Sequence, residues 1–293
     1  MGATRELAAP PRMLGLSLRA ALALAPGASA LPFVAGGGNT IPDLALSLPA
    51  TRLEAERLID YARVCGFALR ETLPATAPHL LAFPLHMALM TDGSFPFGAV
   101  GLVHLENRIA IRRAIGREEA LELRVHASAL APHPKGRTFT IVTVASVDGE
   151  RVWEEYSTML RREDRASGES EHREPSLSPE LAPVAEWQLP EDLGRRYGSV
   201  SGDRNPIHMH ALSAKVFGFP RAIAHGMWTK ARCLAALESS LPEAYTVAVS
   251  FRKPILLPSS VTFAEESGQA QKSFAVRAAK DETTIHLEGT VTP

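Results

Sequence analysis

The chain predicts an α+β fold of two units, each an antiparallel sheet wrapped around one central helix. Its 293 residues exceed the length of an ordinary single domain. The spacing Tyr-x-x-Val-x-Gly occurs twice, as Tyr61-Ala62-Arg63-Val64-Cys65-Gly66 and as Tyr197-Gly198-Ser199-Val200-Ser201-Gly202, each time after a polar run of helical character. In both halves an apolar run at helical spacing then gives way to runs that alternate every second residue. These observations divide the chain into an N-terminal unit over 1–165, a linker over 166–188 and a C-terminal unit over 189–293.

Met13 to Ala30 imitates a signal peptide, with Arg12, a Leu/Ala-rich stretch and Ala28-Ser29-Ala30. Arg19 interrupts the apolar run and Pro26-Gly27 suits the end of a helix, so a short amphipathic helix is the reading adopted. Polar helical runs begin near Leu53 and Pro190, and the apolar central helices are expected at Phe83 to Thr91 and Gly226 to Leu237. Strands follow in the first half at Leu121/Leu123/Val125, Thr138 to Val147 and Val152 to Leu160, with Asp148-Gly149 as a hairpin turn. In the second half Tyr245 to Phe251 alternates strictly, as do Phe274/Val276/Ala278 and Ile285/Leu287/Gly289/Val291. Between the halves, charged residues from Arg161 and then Ser and Pro through Pro190 read as the linker. Each half thus reads as a helix followed by a sheet, and alanines on the helix let the sheet come close.

Composition narrows the function. Lys plus Arg number 31 and Asp plus Glu 32, a formal charge of -1, which argues against nucleic acid or an anionic membrane as partner. Cys65 and Cys233 stand far apart, outside any CxxC pattern, so a reducing cytoplasm is expected and a disulfide framework is not. No stretch is long and apolar enough to span a bilayer.

Chemistry concentrates in Tyr197 to His210. Asp203, Asn205 and His208 crowd around Pro206, which fixes its own φ and keeps Asn205 out of helical geometry, so a shaped loop should precede a helix near Ala211 to Phe217. Further on, Ala224-His225-Gly226-Met227 opens the central helix, where the Gly226 N–H faces forward with the positive end of the helix dipole behind it.

The string Tyr-x-x-x-Ser-Gly-Asp-x-Asn-Pro-x-His, then Gly-Phe-Pro, Ala-His-Gly-Met and Phe251-Arg252-Lys253-Pro254-Ile255-Leu256-Leu257-Pro258, resembles the MaoC-like, or hydratase 2, family of hot-dog enzymes. The resemblance runs from about Leu189 to the C-terminus, and the first half resembles only the degenerate N-terminal unit of two-domain members. It implies a double hot-dog fold and reversible (R)-specific hydration of trans-2-enoyl thioesters. Asp203 and His208 would share the water, and Gly226 would supply the oxyanion N–H. Asn205 has a supporting role in holding the loop. Arg252 and Lys253, with Arg221 and Lys230 behind them, are candidates to meet the phosphates of coenzyme A or a phosphopantetheine arm, although exposed basic residues are usually just solvated. Coenzyme A or phosphopantetheine enters only as part of the substrate; no cofactor and no metal is expected. His208 and His210 stand two apart, and no third strong ligand is evident beside Asp203.

Blander roles compete for single residues. Asp203 suits an Asx turn or N-cap, His225 a helix cap, His210 a solvated position, and Phe217, Phe219, Met227 and Trp228 the core. Where the motif would follow Gly66, the first half reads Phe67-Ala68-Leu69-Arg70-Glu71-Thr72, so that half is expected to have lost catalysis and gained space for substrate. His79 and His86 are then structural, His86 with a chance of lining the tunnel. The partner is an acyl-CoA or acyl-carrier-protein thioester, and a homodimer is possible through an exposed sheet edge. The alternatives are a 3-hydroxyacyl-carrier-protein dehydratase, a hot-dog thioesterase and a non-catalytic acyl-thioester binding protein.

Overall fold

The computed structural model describes residues 3–25, 27, 31, 34–36, 40–163, 181–268 and 270–293. A short strand β1 (Ala3–Glu6) and a helix α1 (Met13–Leu22) come first. In the first unit β2 (Leu44–Thr51) leads into α2 (Ala55–Cys65) and the central helix α3 (His79–Met90). Then β3 (Leu102–Ile111), β4 (Leu121–Ala127), β5 (Ala131–His133), β6 (Gly136–Val147) and β7 (Glu150–Arg162) build its sheet. The second unit repeats the order with β8 (Pro183–Leu189), α4 (Leu193–Ser201), the short helices α5 (Pro206–Met209) and α6 (Ala211–Val216), and the central helix α7 (Gly226–Leu237). Its sheet is completed by β9 (Tyr245–Phe251), β10 (Ser259–Ser267), β11 (Lys272–Ala278) and β12 (Asp281–Thr292).

All these strands join one sheet in the order β1-β2-β4-β6-β7-β3-β9-β12-β11-β10-β8, with β5 paired to β6 beside the path. Leaving β1 aside, the order is the same from either end, so a pseudo-two-fold relates β2 to β8, β3 to β9 and β7 to β12. The units meet at the antiparallel pair β3–β9, from Glu106↔Ser250 to Ile111↔Tyr245. One hydrophobic cluster runs through both, containing Leu80, Leu85 and Leu89 of α3 and Ala231, Leu234 and Leu237 of α7. The double hot-dog architecture is therefore present, and the duplicated Tyr-x-x-Val-x-Gly marks its two α2/α4 helices. The predicted hairpin also forms: Asp148 and Gly149 take φ of 50° and 81° between β6 and β7.

Three boundaries differ from the sequence reading. The linker predicted over 166–188 overlaps β8, whose Leu189 to Pro183 pair with Ser259 to Ala264 of β10. Within that Pro/Ser-rich stretch Trp187 is the core contact, stacked on Phe263 with ring centroids 5.0 Å apart. Residues 164–180 lie outside the described residues. Each unit consequently begins with a strand, not with its helix. Finally, α3 starts at His79, four residues before the predicted start at Phe83, and contains Pro84. A proline there leaves the carbonyl four residues earlier without its helical donor. Arg57 Nη2 supplies one, 3.2 Å from Leu80 O.

The amphipathic reading of Met13 onward agrees with α1, which buries Leu16 and Ala20. Pro26 and Ala28-Ser29-Ala30 lie outside the described residues. Among those described, no helix is long and apolar enough to cross a membrane.

Candidate active site

The loop from Gly202 to Pro206 lies flat against α4 because that helix offers it bare backbone. A Cβ at Gly198 would lie 2.8 Å from Asp203 O, and one at Gly194 would run into His208 O. At the end of α4, Gly202 takes the left-handed cap conformation and turns the chain outward. Ser201 Oγ accepts from the Asp203 N–H at 3.1 Å, and Asp203 Oδ1 accepts from the Asn205 N–H at 3.1 Å. Asp203 does form the Asx turn that the sequence allowed, but with one of its two oxygens. Asn205 caps α5 by accepting from the Ile207 N–H at 3.4 Å, Pro206 occupies the first turn, and His208 is thereby carried inward.

His208 is buried, and its Nδ1 lies 2.7 Å from Ile223 O. A carbonyl oxygen can only accept, so Nδ1 carries the hydrogen of the neutral ring and Nε2 carries the lone pair. Burial pushes the His208 pKa below its usual 6.5, against the opposing pull of Asp203 and of the bond to Ile223 O. For Asp203, burial favours the neutral acid, yet His225, His208 and the Asn205 N–H together outweigh it and hold the carboxyl below its usual range. Near neutral pH the pair is thus a carboxylate beside a neutral imidazole. The Asp203 side chain remains 28% exposed while His225 is 3% exposed, so the site opens on the carboxylate side.

The sequence suggests a helix cap or packing role for His225, but the structure brings it into the site. Its ring stacks on that of His208 with centroids 3.6 Å apart. Nε2 donates to Asp203 O at 2.9 Å and stands 3.8 Å from Asp203 Oδ2, while Nδ1 is buried without a hydrogen-bond partner. Burial, reinforced by the neighbouring His208, pushes its pKa down to about 3. The cue in the sequence was its place directly before Gly226. His225 also supplies the third potential metal ligand that the sequence does not reveal: one atom each of Asp203, His208 and His225 lie within 4.8 Å of one another. Two of the four ring nitrogens are already committed to backbone carbonyls.

Gly226 opens α7, where the first N–H groups of a helix have no partner within it. An added Cβ there would lie 2.9 Å from Phe251 Cε1, so only glycine lets the helix start this close to β9. His210 is exposed at the start of α6, as expected. None of the four basic candidates is brought to this cluster by any contact among the described residues: Lys230 is fully buried against Asn107, and Arg221 donates to Pro258 O at 3.0 Å. Arg252 pairs with Glu288 at 3.0 Å, and Lys253 lines a separate groove of about 410 Å³ with Phe219, Pro254 and His286.

A further residue without a local motif, Arg57 of α2, ties the first unit to this loop. It donates to Val200 O at 2.7 Å and Ser201 O at 3.2 Å, the last carbonyls of α4, as well as to Leu80 O. Arg57→Met keeps the stem and removes the donors. We expect kcat to fall about tenfold with little change in KM, because small displacements of reacting groups are costly. Arg57→Lys should restore part of the rate, and steady-state kinetics checks both.

Comparison with known proteins identifies the family and the fold. Residues 170–288 match the family described as MaoC like domain. The 3-hydroxyacyl-thioester dehydratase X of Mycobacterium tuberculosis is 36% identical over 234 residues, covering 80% of this chain and 83% of that protein. A crystal structure of HtdX from the same organism superposes with a TM-score of 0.75 at 33% identity, covering 84% of this chain and 98% of that one. A Mycobacterium tuberculosis protein described as having a double hotdog fold shares the fold at a TM-score of 0.51 and 12% identity, covering 83% of this chain and 92% of that one.

Proposed function

This chain belongs to the MaoC-like dehydratases and is a hydro-lyase; from that premise we propose that it reversibly hydrates trans-2-enoyl-CoA to (R)-3-hydroxyacyl-CoA. The observation that carries the reading is a carboxylate and a neutral imidazole converging beside the start of α7, where the Gly226 N–H has no helical acceptor. The related 3-hydroxyacyl-thioester dehydratase X supports the substrate class by its name.

In the proposed reaction the Gly226 N–H and the dipole of α7 polarise the thioester carbonyl. Asp203 Oδ2 and His208 Nε2 hold one water between them. His208 takes a proton as the water oxygen bonds to the β-carbon, and the electron pair of the double bond moves toward the carbonyl. The α-carbon then receives the proton back from His208, so one water is consumed and the enzyme is unchanged. Asp203 balances the transient imidazolium, and Nδ1–H on Ile223 O keeps the ring aligned. Asn205 holds the loop. No step needs a cofactor, and coenzyme A enters as part of the substrate, with Lys253 a candidate for its phosphates.

Crotonyl-CoA should lose its enoyl absorbance on addition of the protein, giving (R)-3-hydroxybutyryl-CoA on chiral analysis. Free thiol release without hydration, an (S) product, or binding without turnover would each overturn the proposal.

A further inference from the structure

We propose that a buried charged cluster in the first unit makes this a short-chain site, taking enoyl thioesters such as crotonyl and hexenoyl and turning away longer saturated tails. The inference rests on the hydratase reading above. It begins from the far side of Gly226, where the Phe251 ring closes the wall and stands 4.8 Å from the ring of His104.

Behind that ring the space between α3 and the sheet holds ionised and polar groups where an acyl tail would need hydrocarbon. Glu155 of β7 is fully buried. It accepts from His79 of α3 at 2.8 Å and from Asn107 of β3 at 2.8 Å, and His86 of α3 lies 3.8 Å away. His86 is bonded to Thr143 of β6 at 2.7 Å, and Asn107 Nδ2 also reaches Ser157 of β7 at 3.0 Å. From α7, Lys230 Nζ donates to Asn107 Oδ1 at 2.5 Å and to the carbonyls of Asn107 and Val247. The cluster adjoins the catalytic loop through Arg57, which bonds both to Leu80 O of α3 and to the last carbonyls of α4. It occupies the space between α3 and the sheet in the half that the sequence suggests has gained room for substrate.

An apolar tunnel rewards each added methylene by roughly fourfold in affinity. Here a lengthening tail would instead strip hydrogen bonds from a buried carboxylate, which is unfavourable. Nor can α3 swing aside freely, since Leu80, Leu85 and Leu89 are fully buried and Arg57 holds its first turn.

The test is a kcat/KM series on crotonyl-, hexenoyl-, octenoyl- and decenoyl-CoA with the full-length protein. We expect a fall of at least about tenfold from crotonyl to decenoyl, in place of the rise an apolar tunnel gives. His86→Ala, which empties a ring's volume beside Glu155, should raise the decenoyl-to-crotonyl ratio by about fivefold or more while leaving crotonyl turnover nearly unchanged. Should that variant not fold, the wild-type series decides. Equal or rising rates with length would overturn the short-chain assignment and leave the hydratase reading standing. Absence of hydration at every length would remove the hydratase reading, and the assignment with it.

Discussion

Asp203→Asn should lower kcat for crotonyl-CoA hydration by on the order of 10³-fold without unfolding the protein. The amide is isosteric, and its oxygen can still accept from the Asn205 N–H, the bond that the Asp203 Oδ1 makes now. The Asp203 backbone carbonyl, which receives His225 Nε2, is untouched. What disappears is the negative charge at Oδ2 that, in the proposed mechanism, holds the water and balances a protonated His208. A second consequence follows from the same charge. Asp203 raises the His208 pKa against the lowering effect of burial, so its neutralisation should move His208 further down. If His208 acts as the neutral base, as proposed, activity should rise as pH passes upward through its pKa, and in Asp203→Asn the residual acid limb should lie at lower pH than in wild type. Unchanged turnover in this variant would remove Asp203 from the mechanism.

How legible this site was depends on which interactions are local in sequence. Asp203, Asn205, Pro206 and His208 lie within six residues, and the turn chemistry of Pro and Asx residues is written into neighbouring positions, so their convergence could be read directly. The boundaries of α7 and β9 were equally clear because small and alternating residues repeat without interruption there. Six strands, β1, β2, β3, β5, β8 and β10, escaped, and for three of them the physical reason is plain. In β3, Asn107 takes an inward position between exposed Glu106 and Arg108, so a polar residue interrupts the apolar alternation. In β8, prolines and charged residues surround Trp187, so the alternation was masked. Leu44, Leu46 and Leu48 of β2 do alternate, but they lie just after a glycine-rich stretch and no partner strand was evident.

Arg57 and the Glu155 cluster were out of reach for another reason. Arg57 acts on carbonyls 143 and 144 residues away, and Lys230 meets Asn107 across 123 residues. Such contacts depend on the pseudo-two-fold bringing β3 beside β9, which no local pattern specifies. The two halves also diverge at equivalent positions. The second keeps a glycine at the start of its central helix and an acid and imidazole pair ahead of it. The first has His79 at the start of α3 and directs it to Glu155. The duplicated scaffold thus holds one partly exposed acid and imidazole pair and one buried, hydrogen-bonded network.

His208→Gln should abolish hydration to a similar degree, on the order of 10³-fold or more, and it separates chemistry from packing. A glutamine amide can still donate to Ile223 O, the bond that His208 Nδ1 makes at 2.7 Å, and it can lie against the His225 ring. It carries no basic nitrogen at neutral pH, so the water would lose its proton acceptor while the loop keeps its anchor. His208→Ala removes both, leaving Ile223 O without its donor and a space beside His225, and should add a stability loss of about 1–3 kcal/mol to the same kinetic loss. Thermal melting and crotonyl-CoA kinetics on the two variants therefore give a paired result: equal rate defects with unequal stability assign His208 to proton transfer. A glutamine variant that retains substantial activity while the alanine variant loses it would instead reduce His208 to a structural prop, with the proton passing through Asp203 alone.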